Sequence, residues 1–181
     1  QSRADRFVMI MSLQLATSTA LQWHLPEFAY SIIKKRRCNM ILETNSPQET
    51  FSAGRQLGEK AFPGQVITLT GDLGVGKTVF TQGLAKGLGI EEPVNSPTFT
   101  IVQVYDEGRL PLYHFDVYRI GDIEEMDEVG FEEYVMGDGV SLIEWANLIE
   151  EILPENRTEV IIEKDLEKGF DYRKIIINEM K

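Results

Sequence analysis

Hydrophobic positions in this chain change period several times, and each change marks an element. Phe51, Gly54, Leu57, Gly58 and Ala61 recur at helical spacing. Ser46-Pro47-Gln48-Glu49 precedes them and reads as a capping box: Ser46 caps, Pro47 takes the first helical position, and Glu49 reaches back to the cap. The spacing predicts a helix to about Phe62, ended by Pro63-Gly64. QVITLTG, Gln65 to Gly71, reads as a strand running straight into a glycine-rich loop, and Thr78 to Leu88 as a helix ended by Gly89. Phe99 to Arg119 reads as two strands with a turn at Asp106 to Arg109. Acidic Asp122 to Val135 predicts a helix with Ile123, Met126 and Phe131 facing the core. Gly139 to Ala146 predicts a buried strand, followed by a short helix to Leu153 that Pro154 stops. Thr158 to Asp165 and Tyr172 to Met180 form a closing hairpin around Gly169. This order predicts an α/β fold with a sheet of mixed direction.

Charge divides the chain. The 181 residues carry a net charge of −11. Residues 1–39 hold six basic and two acidic side chains, a net +4, which leaves −15 to residues 40–181. So acidic a domain argues against unaided binding to nucleic acid, whose phosphates reward basic surfaces. The composition shift places a boundary at Met40, with 1–39 as an upstream, poorly ordered extension and 40–181 as one domain. The uncharged run Phe7 to Leu25 is diluted by Ser, Thr, Gln and His, so it reads as extension rather than as an anchor or signal. Lys34 to Arg37 then reads as a solvated charge run. Cys38 is the one cysteine, which forbids an internal disulfide and suggests a reducing compartment.

Gly71-Asp72-Leu73-Gly74-Val75-Gly76-Lys77-Thr78 fits the phosphate-binding pattern G-x-x-x-x-G-K-[ST] at every fixed position. Glycines let backbone wrap phosphate without side-chain clash. The loop N–H groups and the following helix N-terminus present positive dipole to the anion. Lys77 reaches the outer phosphates, and the Thr78 hydroxyl is a hard ligand for Mg²⁺. A strand before and a helix after supply the context the motif needs.

Two acids close apolar runs where open α/β sheets place their ligands: Asp116 and Glu144. Glu144 is the preferred acid on the Mg²⁺ side, since its strand is the more uniformly apolar; Asp116 would orient water or support the metal from further out. Asn95 to Thr100 reads either as a turn or as a nucleotide-sensing loop in which Thr98 offers its hydroxyl. Trp145 reads either as core or as an aromatic that keeps water from the acid or marks a docking face. His114 reads as a structural histidine. No N-K-x-D guanine-reading motif occurs. Arg109, Arg119, Arg157 and Arg173 are too scattered for a kinase lid, so a small-molecule kinase is the runner-up to an ATPase that changes the shape of a partner.

GDLGVGKTVFTQGLAKGLGI, VNSPTFTIVQVY, LPLYHFDVYRI and VSLIEWANLIEEILP, in this order and at these spacings, resemble the TsaE (formerly YjeE) family over about Met40 to Lys181. The resemblance implies a P-loop NTPase-type three-layer fold with a mixed parallel and antiparallel sheet. It implies a cytoplasmic, Mg²⁺-dependent ATPase, weak alone, that acts on the TsaB–TsaD pair and resets it between turnovers. That pair transfers a threonylcarbamoyl group to adenosine 37 of tRNAs reading ANN codons, so tRNA would be met only through the partner, and no membrane is involved. Carried over residue by residue, Gly74, Val75, Gly76, Lys77, Thr78 and Val79 would bind phosphate, and Thr78 and Glu144 would hold Mg²⁺. Lys77, Asp116, Glu144 and Thr98 would form the catalytic shell, Trp145 would lie beside the acid, and Glu49 and Thr50 would approach the adenine. Some family members carry an arginine directly after the glycine of the last hairpin; here Phe170 follows Gly169, and Arg173 is the available substitute.

Overall fold

The computed structural model describes residues 38–180. The extension expected over residues 1–39 therefore lies, apart from Cys38 and Asn39, outside the described residues.

The first described element is a strand that the sequence reading missed, β1 (Cys38–Thr44), starting two residues before the boundary set at Met40. Helix α1 (Pro47–Lys60) follows. The Ser46 hydroxyl accepts from the Glu49 N–H as expected, whereas the Glu49 carboxylate takes the N–H of Asn45, one residue short of the cap. Next come β2 (Val66–Thr70) and α2 (Lys77–Leu88), which ends on Gly89 in the left-handed region. The predicted hairpin forms from β3 (Val102–Tyr105) and β4 (Leu112–Asp116).

The acidic helix expected over 122–135 is two short helices, α3 (Glu125–Glu128) and α4 (Phe131–Val135). Gly130, at φ 71°, turns the chain between them so that Met126 and Phe131 both reach the core. After β5 (Val140–Glu144), the expected short helix is two single 3₁₀ turns, Ala146–Leu148 and Glu150–Ile152. β6 (Arg157–Lys164) and β7 (Arg173–Met180) close the chain.

The strands form a seven-stranded sheet in the order β1-β7-β6-β2-β5-β4-β3. β6, β2, β5 and β4 run parallel, while β1, β7 and β3 pair antiparallel at the flanks. Residues alternate between two buried faces. Ile67, Leu69, Leu112 and Leu142 pack toward α1 and α2; Val66, Phe115 and Ile143 pack toward α3, α4 and the 3₁₀ turns. The result is a three-layer α/β fold. Among the described residues, no helix is long and apolar enough to cross a membrane.

Four glycines set the distance between α1 and α2. A Cβ on Gly54 would stand 2.1 Å from the Phe80 carbonyl oxygen, and one on Gly58 2.2 Å from that of Leu84. The reverse contacts are as tight: Gly83 to the Phe51 oxygen at 2.0 Å, and Gly87 to the Arg55 oxygen at 2.3 Å. The two helices touch backbone to backbone, so the start of α1 is held beside the loop that precedes α2. Arg109 binds the α1 end to the β3–β4 turn by donating to the carbonyls of Gly58 and Ala61.

Candidate functional site

The loop between β2 and α2 takes its shape from its glycines. Gly71 has φ 150°, and a Cβ there would lie 2.5 Å from the Ile162 oxygen. Gly76, at φ 106°, caps α2 with no side chain in the way, which leaves the first N–H groups of the helix facing outward. Lys77 is buried, with 7% of its surface exposed. Its ammonium donates to the carbonyls of Gly71 at 2.8 Å and Asp72 at 3.1 Å, and lies 4.2 Å from the centre of the Trp145 ring. Burial pulls the Lys77 pKa below that of a free lysine, against the opposing pull of Glu144, Asp116 and Asp72.

The two expected acids are register partners: Asp116 at the end of β4 stands opposite Glu144 at the end of β5. Both are buried. Each has its own anchor. One oxygen of Asp116, Oδ2, accepts from the hydroxyls of Ser96 and of Thr98, the latter at 2.8 Å; the other, Oδ1, accepts the Tyr118 N–H at 3.1 Å. Asp116 thereby ties the Asn95 to Thr100 loop to the sheet. One oxygen of Glu144, Oε1, lies 3.0 Å from Nε2 of fully buried His114.

A cavity of about 380 Å³ gathers these groups: Gly74, Gly76, Lys77 and Thr78 on the loop side, Ser96, Thr98, Asp116, Glu144 and Trp145 on the other. Thr50 and Val79 line a smaller recess beside it, with Val75, Gly76 and Arg173. Glu49 is exposed at the helix start and lines neither. A larger cavity, about 710 Å³, opens behind Gly71 and Asp72. Its Lys168 and Lys174 are already paired with Glu43 and Glu163, which makes it the poorer phosphate site.

Trp145 is half-buried rather than plain core, and its φ of 61° puts a bulky residue in the left-handed region, at a cost of ~1–3 kcal/mol. That conformation turns the indole from β5 over Lys77 and against Tyr118, ring centres 4.9 Å apart. The hydroxyl of Thr78 and the carboxylates of Asp116 and Glu144 form a set of hard oxygen donors on one cavity. No cluster of three or more His, Cys, Asp or Glu suited to a metal occurs among the described residues. Mg²⁺ fits such a site nonetheless, because it takes one or two carboxylates and completes its shell with phosphate and water.

Three contributors were not singled out as site residues from sequence: Ser96, His114 and Tyr118. Strand alternation held a signal for His114, since residues 112, 114 and 116 of β4 share a face. Arg173, raised only as a substitute, donates through Nε to the Val75 carbonyl and so steadies the loop from the β7 side.

The model of the family described as threonylcarbamoyl adenosine biosynthesis protein TsaE matches residues 44–175. The tRNA threonylcarbamoyladenosine biosynthesis protein TsaE of Bacillus subtilis (strain 168) is 52% identical over 132 residues, which cover 73% of this chain and 80% of that protein. The protein of the same name from Treponema pallidum (strain Nichols) is 46% identical over 112 residues, covering 62% and 82%. The crystal structure of YdiB from Bacillus subtilis superimposes with a TM-score of 0.69 at 43% identity, covering 80% of this chain and 87% of that one.

Proposed function

This chain belongs to the TsaE family of threonylcarbamoyl adenosine biosynthesis proteins, and from that premise we propose that it is a Mg²⁺-dependent ATPase acting on a TsaB–TsaD pair. Its hydrolysis would reset that pair between rounds of threonylcarbamoyl transfer to adenosine 37 of tRNAs reading ANN codons. The observation that carries this reading is the meeting of Lys77 and Thr78 with Asp116 and Glu144 around one cavity.

The residues divide the work. Backbone N–H groups from Gly74 to Val79 grip the phosphates, and the glycines let them approach. Lys77 exchanges the Gly71 and Asp72 carbonyls for phosphate oxygens. Thr78 and Glu144 would hold the metal, which when bound would draw charge from the phosphates and ease their cleavage. Asp116, held by Ser96, Thr98 and the Tyr118 N–H, orients the attacking water and couples the Asn95 to Thr100 loop to the nucleotide's state. Trp145 and Tyr118 wall the site from bulk water. Thr50 and Val79 form the recess for the base.

The kinase alternative loses its catalytic arginines. Arg109 is bound to the end of α1, Arg157 to Glu150 and Glu159, Arg173 to the loop backbone, and Arg119 stacks on Phe99. The test is ATP hydrolysis by the purified chain with and without TsaB–TsaD. The reading expects slow turnover alone, a rise of about tenfold or more with the pair, and none with Lys77→Ala. Phosphate appearing on an added metabolite instead would favour the kinase.

A further inference from the structure

His114 presents a puzzle of its own. Its ring is fully buried in β4; among the described residues Nδ1 has no hydrogen-bond partner, and Nε2 meets a single polar group, the Oε1 of Glu144 at 3.0 Å. A leucine or phenylalanine there would pack without stranding a ring nitrogen. Burying a polar ring with one nitrogen unmatched costs free energy, and the contact with Glu144 is the one polar interaction that offsets it.

We propose that His114 is a positioning residue for Glu144. The inference rests on the reading in which Glu144 serves the metal and phosphate site. A carboxylate only accepts, so the ring proton sits on Nε2 and is donated to Oε1. Nδ1 then carries a bare lone pair, which buried structure tolerates better than an orphaned N–H. The imidazole cannot swing away, because packing encloses it entirely. Oε1 is therefore pinned from beneath. Oε2, which makes no hydrogen bond among the described residues, is left to the cavity that Glu144 lines. Asp116 is oriented by a separate set of donors, so the two neighbouring acids are aimed independently.

The experiment compares His114→Leu, which removes the donor, with His114→Gln, whose amide N–H reaches nearly as far. Binding of a non-cleavable ATP analogue is measured in EDTA and across a Mg²⁺ titration. His114→Leu is expected to keep its EDTA affinity within about twofold, because the phosphate cradle is untouched. The Mg²⁺ needed for half-maximal tight binding should rise by about tenfold or more, as when other groups that orient a ligand are lost. His114→Gln should recover most of that loss. An unchanged Mg²⁺ dependence in His114→Leu, or an equal defect in the two variants, would overturn the proposal.

A second readout needs neither nucleotide nor metal. The chain has two histidines, His24 and His114, so ¹⁵N-histidine NMR of the whole protein, assigned with His114→Gln, resolves the buried ring. The ring proton should lie on Nε2 and the ring signals should shift in Glu144→Ala. A proton on Nδ1, or signals indifferent to Glu144→Ala, would refute the positioning role. If wild-type protein binds the analogue with no Mg²⁺ dependence, the ATPase reading fails, and the ring signals alone then decide for or against the His114–Glu144 link.

Discussion

Lys77 shows how much one residue commits this site to phosphate. Its ammonium is buried, held by two carbonyls and faced by an indole. Lys77→Ala should abolish both Mg²⁺·ATP binding and ATP-supported tRNA modification while leaving the melting temperature nearly unchanged, since its carbonyl partners lie beside solvent. Glu144→Gln should retain nucleotide but hydrolyse it roughly 10²-fold more slowly, the usual scale for a lost group that stabilises the reacting centre. ADP formation at the wild-type rate would remove Glu144 from the chemistry. The motif from Gly71 to Thr78 was legible because its chemistry is local: eight consecutive residues make the loop and start the helix. The partnership of His114 with Glu144 was not, because it joins positions thirty residues apart and depends on strand register. Ser96 was missed for the same reason; its carboxylate partner lies twenty residues on.

At the scale of elements, the α1–α2 contact decides whether the loop and the recess beside it stay together. Gly83→Ala should be destabilising despite alanine's better helix propensity, worth about 1 kcal/mol. The new methyl would meet the Phe51 carbonyl at 2.0 Å, and separating the helices costs ~1–3 kcal/mol or more. A melting temperature lower by about 2 °C or more is expected, while Gly121→Ala, whose Cβ would have nothing nearer than 3.5 Å, should change little. A Gly83→Ala protein as stable as wild type would mean that the helices are not held this close. Most elements could be read from periodicity, since α1, α2 and the central strands carry uninterrupted apolar patterns. β1 could not, because it pairs with β7 at the far end of the chain and its short pattern follows a basic run. The 122–135 segment looked like one helix because its apolar spacing continues across Gly130, where a positive φ breaks it.

The whole molecule is acidic, and its relatives are named for tRNA threonylcarbamoyladenosine biosynthesis. A charge of −11 is unsuited to holding RNA, which fits the proposal that tRNA is met only through a partner. Glu124, Asp127 and Glu128 are exposed around α3, whereas Glu125 accepts the N–H groups of Gly121 and Asp122 and shapes the turn. Reversing the first three to lysine should weaken capture by TsaB–TsaD if this face docks. Unchanged capture would make it plain solvated surface. The central claim is that a triphosphate lies in the cavity between the loop and the two acids. A crystal structure with a non-cleavable ATP analogue and Mg²⁺ tests it most directly. The phosphates should be wrapped by the N–H groups of Gly74 to Val79, with Lys77 released from Gly71 and Asp72 and the cation held by Thr78 and Glu144. An empty loop, with the analogue bound elsewhere or absent, would contradict the account.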